Sequence, residues 1–320
     1  MKQAGATVFA TTRIAVVLSC TAIAAIADNT QTLQARIWIS HCQQESDAMT
    51  ETESTDLIFD VGAHKGEDCD FYFKLGYRVV AIEANPSLAD HLKERFSKEI
   101  GDGRFVLINK AIGDTEGTIS FFINKKVSVW GTADPNWVKR NKACGAESEE
   151  IKVESTCLSN IINTYGCPHY LKVDIEGADM CCVNALKSME YRPKYLSLES
   201  TMTSWFDLLN EFKTLENLGY TKFKLVNQKK HKGGKFRTRN GELISHKFEE
   251  GASGPFGDNL DGVWLTKWQA IRAYVPIFIR YKTIGVHSLP SKVVKRTQML
   301  RRLHRVFSYD SWYDTHAMRE

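Results

Sequence analysis

The chain has 320 residues, 43% of them hydrophobic and 25% charged, which is the composition of an ordinary globular protein long enough to bury a core. Net charge is only +4, yet residues 222–247 carry nine Lys/Arg and one acid, and residues 280–305 carry eight Lys/Arg and no acid. Each stretch is +8, which leaves −12 for the remainder, so the basic C-terminal third either faces an acidic substrate, an anionic membrane or nucleic acid, or is a solvated surface beside an acidic core.

The eight cysteines form no C-x-x-C pair and have no regular spacing with histidine. They read as reduced packing thiols, with neither a structural zinc nor a disulfide framework. Reduced thiols favour the cytoplasm. Against that stands the N-terminus, where Lys2 and Arg13 precede "IAVVLSCTAIAAIA" and Ala25-Ile26-Ala27 resembles a cleavage site. Three readings stand side by side: an export signal, an organellar transit peptide, or a chain that effectively starts at Met49. The run is too short to span a bilayer comfortably.

Residues 1–55 are therefore expected to be an extension, residues 56–270 the folded domain, and residues 271–320 a basic C-terminal extension. Within the domain, Leu57 to Val61 reads as a buried strand, followed by a helix after Gly66 that stops at Gly76. Arg78 to Glu83 is the second strand. Asn85 and Pro86 open the next helix as N-cap and first helical residue, and Leu88, Leu92, Phe96 and Ile100 give it one apolar stripe. Arg104 to Asn109 is the third strand. "AIGDTEGTISFFIN" is β-type, an irregular loop follows around Trp130 and Trp137, and Ile151 to Val153 is a short strand. "YLKVDIEG" and "KYLSLES" are the next two long strands, each followed by a helix. "YTKFKLV" and "DGVWLTK" supply two later strands across a basic, glycine-rich connection. Strands alternating with helices predict an α/β doubly wound, mostly parallel sheet.

In such sheets the ligand lies beyond the C-terminal strand ends, at the switch point beside the first strand. There "DVGAHKG" sets Asp60, Gly62 and Gly66 around a tight turn. A dinucleotide site needs a middle glycine to make room for pyrophosphate; here that position is His64. The turn also begins with an acid, a poor neighbour for pyrophosphate but a good one for a cation. S-adenosylmethionine offers both an ammonium and a sulfonium. Glu83, 21 residues after Gly62 at the end of the second strand, suits two ribose hydroxyls. Asn85 either continues that contact or only caps its helix.

"FDVGAHKG", "AIEANP", "INKAIGD", "LKVDIEGAD" and "GASGPFGDNLDGVW" together resemble the FkbM-type methyltransferases over roughly residues 57–265. The resemblance implies a class I methyltransferase fold, a Rossmann-like seven-stranded sheet whose last hairpin is antiparallel. It also implies S-adenosylmethionine as cofactor and O-methylation of a hydroxyl on a small molecule or sugar. By the same resemblance Asp60, Gly62, Ala63 and Gly66 line the methionine portion, Glu83 holds the ribose, and Asn109 to Ile112, including Ala111, approach the adenine. His64 departs from the small polar residue of many members; it is expected in the same cofactor-binding turn, either making a structural hydrogen bond or acting as a base.

Methyl transfer is an in-line attack that relies on positioning, and a hydroxyl acceptor still needs a base or an orienting carboxylate. Asp174 is expected to position donor or acceptor, and Glu176 to take the acceptor hydroxyl or, alternatively, to support the turn before Gly177. Lys172, on the same strand face as Asp174, balances nearby acids. Glu199 is a second candidate, and His169 reads as an ordinary loop residue. "SGPFGDNLDG" is either a mobile lid or a turn-rich link. A nucleic-acid methyltransferase is the nearest rival. The chain lacks the Asn/Asp-Pro-Pro-aromatic turn of amino-methylating enzymes, and its basic segments lack interleaved aromatics. A protein methyltransferase, an NAD-dependent oxidoreductase and a non-catalytic binding module are further alternatives. Metal sites and a firm membrane partner are not expected, and oligomeric state is open.

Overall fold

The computed structural model describes residues 54–124, 130–143, 147–200, 204–284 and 313–320. The apolar stretch 14–27 and residues 285–305 of the second basic segment lie outside them. The chain divides into two compact units, one made of 53–97 and 104–320, the other of 1–52 and 98–103. Of the second unit only 98–103 is described, and it carries most of one short helix.

The strands are β1 (Ser54–Val61), β2 (Arg78–Ile82), β3 (Phe105–Ile108), β4 (Ala111–Ile112), β5 (Gly117–Asn124), β6 (Ser148–Thr156), β7 (Pro168–Val173), β8 (Tyr195–Glu199), β9 (Lys222–Asn227), β10 (Gly234–Arg237), β11 (Leu243–His246) and β12 (Tyr313–Met318). The helices are α1 (Cys69–Lys74), α2 (Pro86–Arg95), α3 (Ser97–Gly101), α4 (Pro135–Ala143), α5 (Leu158–Tyr165), α6 (Asp179–Ala185), α7 (Trp205–Asn217) and α8 (Lys267–Ile284). Among the described residues no helix is long and apolar enough to cross a membrane.

Seven strands form the main sheet in the order β3-β2-β1-β7-β8-β12-β9. β1 pairs in parallel with β2 and β7, β2 with β3, and β7 with β8. Order reverses at β1, which creates the switch point. β1 and β2 are near-continuous apolar runs because helices cover both faces of a parallel sheet; Leu57, Ile58, Phe59, Val79, Val80 and Ala81 are fully buried.

The C-terminal part of the expected map changes. "DGVWLTK" contributes only an isolated bridge between Leu265 and Phe223. The antiparallel strand comes instead from the C-terminus: β12 inserts between β8 and β9 and runs antiparallel to both. Asp314, Thr315, His316 and Ala317 are all buried there. Thr315, Ser200 and Tyr274 of α8 join their hydroxyls in a buried triangle, which ties α8 to the same strand. The expected C-terminal extension 271–320 thus supplies a helix and a central strand of the domain.

β4, β5 and β6 make a separate three-stranded sheet. Its small core is Ala111, Phe121 and Val153 with Ile119, Ile123 and Ile151 packed against it. β10 and β11 make a hairpin whose Phe236 packs edge-on against Phe71 of α1. The glycine-rich segment 251–257 is not a free lid. Phe256 stacks on Tyr170 with ring centroids 4.1 Å apart and planes 6° apart, and Ser253 and Gly254 donate their backbone N–H groups to Asp68, each at 3.1 Å.

Asp68 belongs to a buried ionic cluster. Lys172 Nζ lies 3.0 Å from Asp60 Oδ1 and 3.3 Å from Asp68 Oδ2. Lys172 is on β7, Asp60 on β1 and Asp68 just before α1, so one ammonium joins three elements and, through Asp68, the 253–254 segment. Burial pulls the Lys172 ammonium toward neutrality, but Asp60, Asp68 and Asp174 outweigh it and hold its proton on.

Two outcomes follow from this architecture. Truncation before Tyr313 removes a strand with neighbours on both sides and is expected to abolish the cooperative thermal transition seen by circular dichroism. Retention of a wild-type melt by the truncated chain would show that β12 is dispensable. Lys172→Met strands buried carboxylates and is expected to lower unfolding stability in urea by about 3–5 kcal/mol, with part recovered by adding Asp60→Asn.

Candidate functional site

A cleft opens at the C-terminal ends of β1, β2, β7 and β8 and is roofed on one side by the three-stranded sheet. Its floor begins with the turn after β1. Gly62 has φ +84°, and a Cβ there would lie 1.9 Å from the Asp174 carbonyl oxygen. Only glycine lets the exits of β1 and β7 approach this closely. Gly62 and Ala63 both donate their N–H to the Ile82 carbonyl, at 2.9 and 3.1 Å, so the turn is stitched to β2.

His64 lines the cleft at φ +50°, an uncommon conformation for a side-chain-bearing residue. Its backbone N–H donates to Glu83 Oε2 at 2.9 Å, and its Nδ1 lies 2.7 Å from Glu67 Oε1. Burial raises the Glu67 carboxyl, but His64 overcomes it and leaves the group lowered. His64 is thus built into the turn by hydrogen bonds.

Glu83 closes β2. Its Oε1 accepts from the Asn85 N–H at 2.8 Å, opposite the His64 bond on Oε2. A carboxylate has about four lone-pair sites, and two remain for a ligand. Burial pushes Glu83 up to about 7, against the downward pull of the Asn85 and His64 N–H groups. Asn85 caps α2 by accepting from Ser87 N–H at 3.1 Å and also lines the cleft. Ala111, Ile112 and Lys110 form the wall beyond Glu83.

Three expected ligand contacts have other work. The Asp60 carboxylate is fully buried beneath the turn, bonded to Lys172 and, at 3.4 Å, to the Cys69 thiol. Gly66 faces Phe96 and Leu92, so its missing side chain is a packing requirement of α2. Asn109 braces the β2 exit from behind, donating Nδ2 to the Glu83 carbonyl at 2.8 Å. His169 also differs from expectation: it is a strand residue of β7, stacked on Tyr77 and far down toward about 4 through burial.

The turn after β7 presents Asp174, Glu176 and, with Lys172, one charged wall of the cleft. Glu176 sits at φ +48°. That strain is held from three sides. Thr132, buried in the loop after β5, donates Oγ1 to the Glu176 carbonyl at 2.7 Å. Asp179, at the start of α6, accepts from the Ile175 and Gly177 N–H groups at 3.2 and 3.3 Å. Trp137 of α4 occupies the space over Gly177, where a Cβ would lie 1.9 Å from Nε1. Burial, then the Asp174 charge, push Asp179 up to about 7 despite its backbone donors. Sequence reasoning missed Thr132 and Asp179 as supports, and Phe121 and Trp130 as cleft walls; the tryptophan-containing loop was visible but carried no periodicity. Glu199, at the end of β8, opens into the same cleft.

Comparison with known proteins adds a family to this geometry. No curated protein matches the chain. Solved structures similar to it include a precorrin-6y C5,15-methyltransferase from Geobacter metallireducens, at 9% identity and TM-score 0.35 over 84% of this chain and 82% of that one. A methyltransferase from Geobacter sulfurreducens in complex with S-adenosyl-L-homocysteine aligns at 11% identity and TM-score 0.32, over 84% and 86%. The Methyltransferase FkbM domain matches residues 60–222, just over half of the 320 residues. The match spans the turn after β1, Glu83 and the turn after β7, and the chain belongs to the FkbM methyltransferase family, enzymes that use S-adenosylmethionine.

Proposed function

We propose that this methyltransferase O-methylates a hydroxyl on a small molecule or sugar, with the cofactor bound between the Gly62–His64 turn, Glu83 and Ala111–Ile112. The observation that carries the reading is that Glu83, the glycine turn and the Asp174–Glu176 pair line one cleft. The donor set fits the cofactor. Glu83 keeps two lone-pair sites for the ribose hydroxyls, Asn85 flanks it, and the acids of the β7 exit suit cationic groups.

S-adenosylmethionine supplies a methyl group already activated on a sulfonium. The protein's own residues then have a short task. Asp174 holds the reacting groups in line, since positioning supplies much of such a barrier reduction. Glu176 orients the acceptor hydroxyl and takes up its proton. Thr132, Asp179 and Trp137 keep Glu176 in its strained conformation, so no reorganisation is needed when the acceptor arrives. Lys172 serves no base role, because its proton is committed to Asp60 and Asp68.

Trp130 and Phe121 add aromatic walls to the cleft, faces that suit a sugar ring or a small apolar body. Of the basic segment 222–247, only Gln228 lines the cleft among the described residues. That favours a small acceptor over nucleic acid.

Glu83→Ala is expected to weaken S-adenosylhomocysteine binding by about 30- to 100-fold in calorimetric titration. Glu176→Gln is expected to leave that affinity unchanged while cutting transfer of radiolabelled methyl to neutral sugars and simple alcohols by about 100-fold. Transfer to amines alone, or undiminished transfer by Glu176→Gln, would overturn the assignment.

A further inference from the structure

At the C-terminal edge of the main sheet, acids from three neighbouring strands stand side by side. β7 and β8 are in register at Val173 and Leu198, and β8 and β12 at Glu199 and Asp314. Asp174 and Glu199 therefore follow the same step of two adjacent strands, about 5 Å apart in the hydrogen-bonding direction. Asp314, buried and bonded to Gln228 at 2.8 Å, lies across from Glu199.

Asp174 and Glu199 both open into the cleft, with Glu176 beside them. Among the described residues, the charged groups that act most strongly on Glu199 are Glu176, Asp174, Asp179 and Asp314, all acids. Those facing Asp174 are Lys172, Asp68, His64 and Glu67. Lys172 acts on Asp174, but its hydrogen bond and second ion pair go to Asp60 and Asp68. Carboxyls so arranged cannot all ionise while the cleft is empty of cations. Burial, followed by the neighbouring acids, raises Glu199 well above the usual carboxylate range; burial likewise raises Asp174, against the pull of Lys172.

We infer that Asp174 and Glu199 form a charge-reading pair that retains a proton in the resting cleft and releases it when a cation enters, so that the cleft prefers the sulfonium cofactor to the neutral thioether left after transfer. The inference rests on the cleft being the cofactor site. The step breaks one carboxyl O–H bond, sends the proton to solvent, and lets the ligand's positive charge balance the new carboxylate. S-adenosylhomocysteine keeps the ammonium and carboxylate of the methionine portion but lacks the sulfonium, so comparing the two ligands isolates one charge. The pair would thus favour departure of the product.

The sign of the pH dependence follows. A ligand whose binding releases a proton binds more tightly as pH rises, until the free pair is already ionised. Calorimetric titration of the full chain with each ligand, in buffers of differing ionisation enthalpy between about pH 6 and about pH 8, tests this. S-adenosylmethionine is expected to bind at least about tenfold more tightly than S-adenosylhomocysteine, with proton release that the latter lacks. Glu199→Gln is expected to erase both differences while leaving S-adenosylhomocysteine affinity within about twofold. Equal affinities and equal proton counts in the wild-type chain would overturn the inference, as would differences that survive in Glu199→Gln. Failure of the cleft assignment reads differently, because Glu83→Ala would then leave both ligands bound.

Discussion

A single buried ammonium organises this protein. Lys172 sits in the middle of the main sheet, where desolvation alone would strip its proton, and it is kept charged by carboxylates delivered from β1 and from the start of α1. Removing water from such a group is unfavourable by several kcal/mol unless its partners are fixed. The fold fixes them. Asp60 is locked in register with Lys172 by the β1–β7 pairing, and Asp68 is held by two backbone donors from the 253–254 segment. The cleft can form only where this cluster has formed, because Lys172 and Asp68 also line it.

Rigidity at the floor permits strain above it. His64 and Glu176 both occupy the left-handed region, which side chains avoid unless their surroundings over-determine them. Each is held by bonds from a different element. His64 is tied to Glu83 and Glu67, while Glu176 is tied through its carbonyl to Thr132 in the small sheet's return loop. The three-stranded sheet therefore does more than wall the cleft: it carries the hydroxyl that keeps the β7 turn in its working shape. Trp137 filling the space over Gly177 acts in the same sense.

Much of this was legible in the sequence, and the gaps have physical causes. The periodicities of "LIFDV", "RVVAI" and "YLKV" gave the parallel strands, and the acid-glycine turn located the cleft. Asp60 was misplaced because a strand buried on both faces has no alternation to tell which side a terminal acid takes; it points into the ionic cluster beneath the turn. β12 was missed for a related reason. "YDTHAM" has no apolar run, yet Asp314, Thr315 and His316 are buried because Gln228, Ser200 and Tyr274 meet the first two. Partners that far away in sequence cannot be read from local pattern. Composition leaves the segment around Phe256 open between a mobile lid and a turn-rich link, and the stack on Tyr170 favours the link.

The distribution of charge carries the argument one step further. The chain is basic overall, with its excess positive charge in two stretches, yet the cleft collects acids: Glu67, Asp68, Glu83, Asp174, Glu176 and Glu199 against Lys110 and Lys172. Lys110 is paired with Glu154 at 2.9 Å, and Lys172 is committed to the floor. An anionic ligand would meet repulsion there, which is the physical reason a pyrophosphate-bearing dinucleotide suits this turn poorly. A cationic one supplies the counter-charge that the protein itself withholds. Folding tolerates this deficit because a carboxyl that keeps its proton carries no charge to bury, so the same Asp174 and Glu199 that favour a cationic ligand are stable without one. Charge complementarity in this site is thus completed by the ligand rather than stored in the fold.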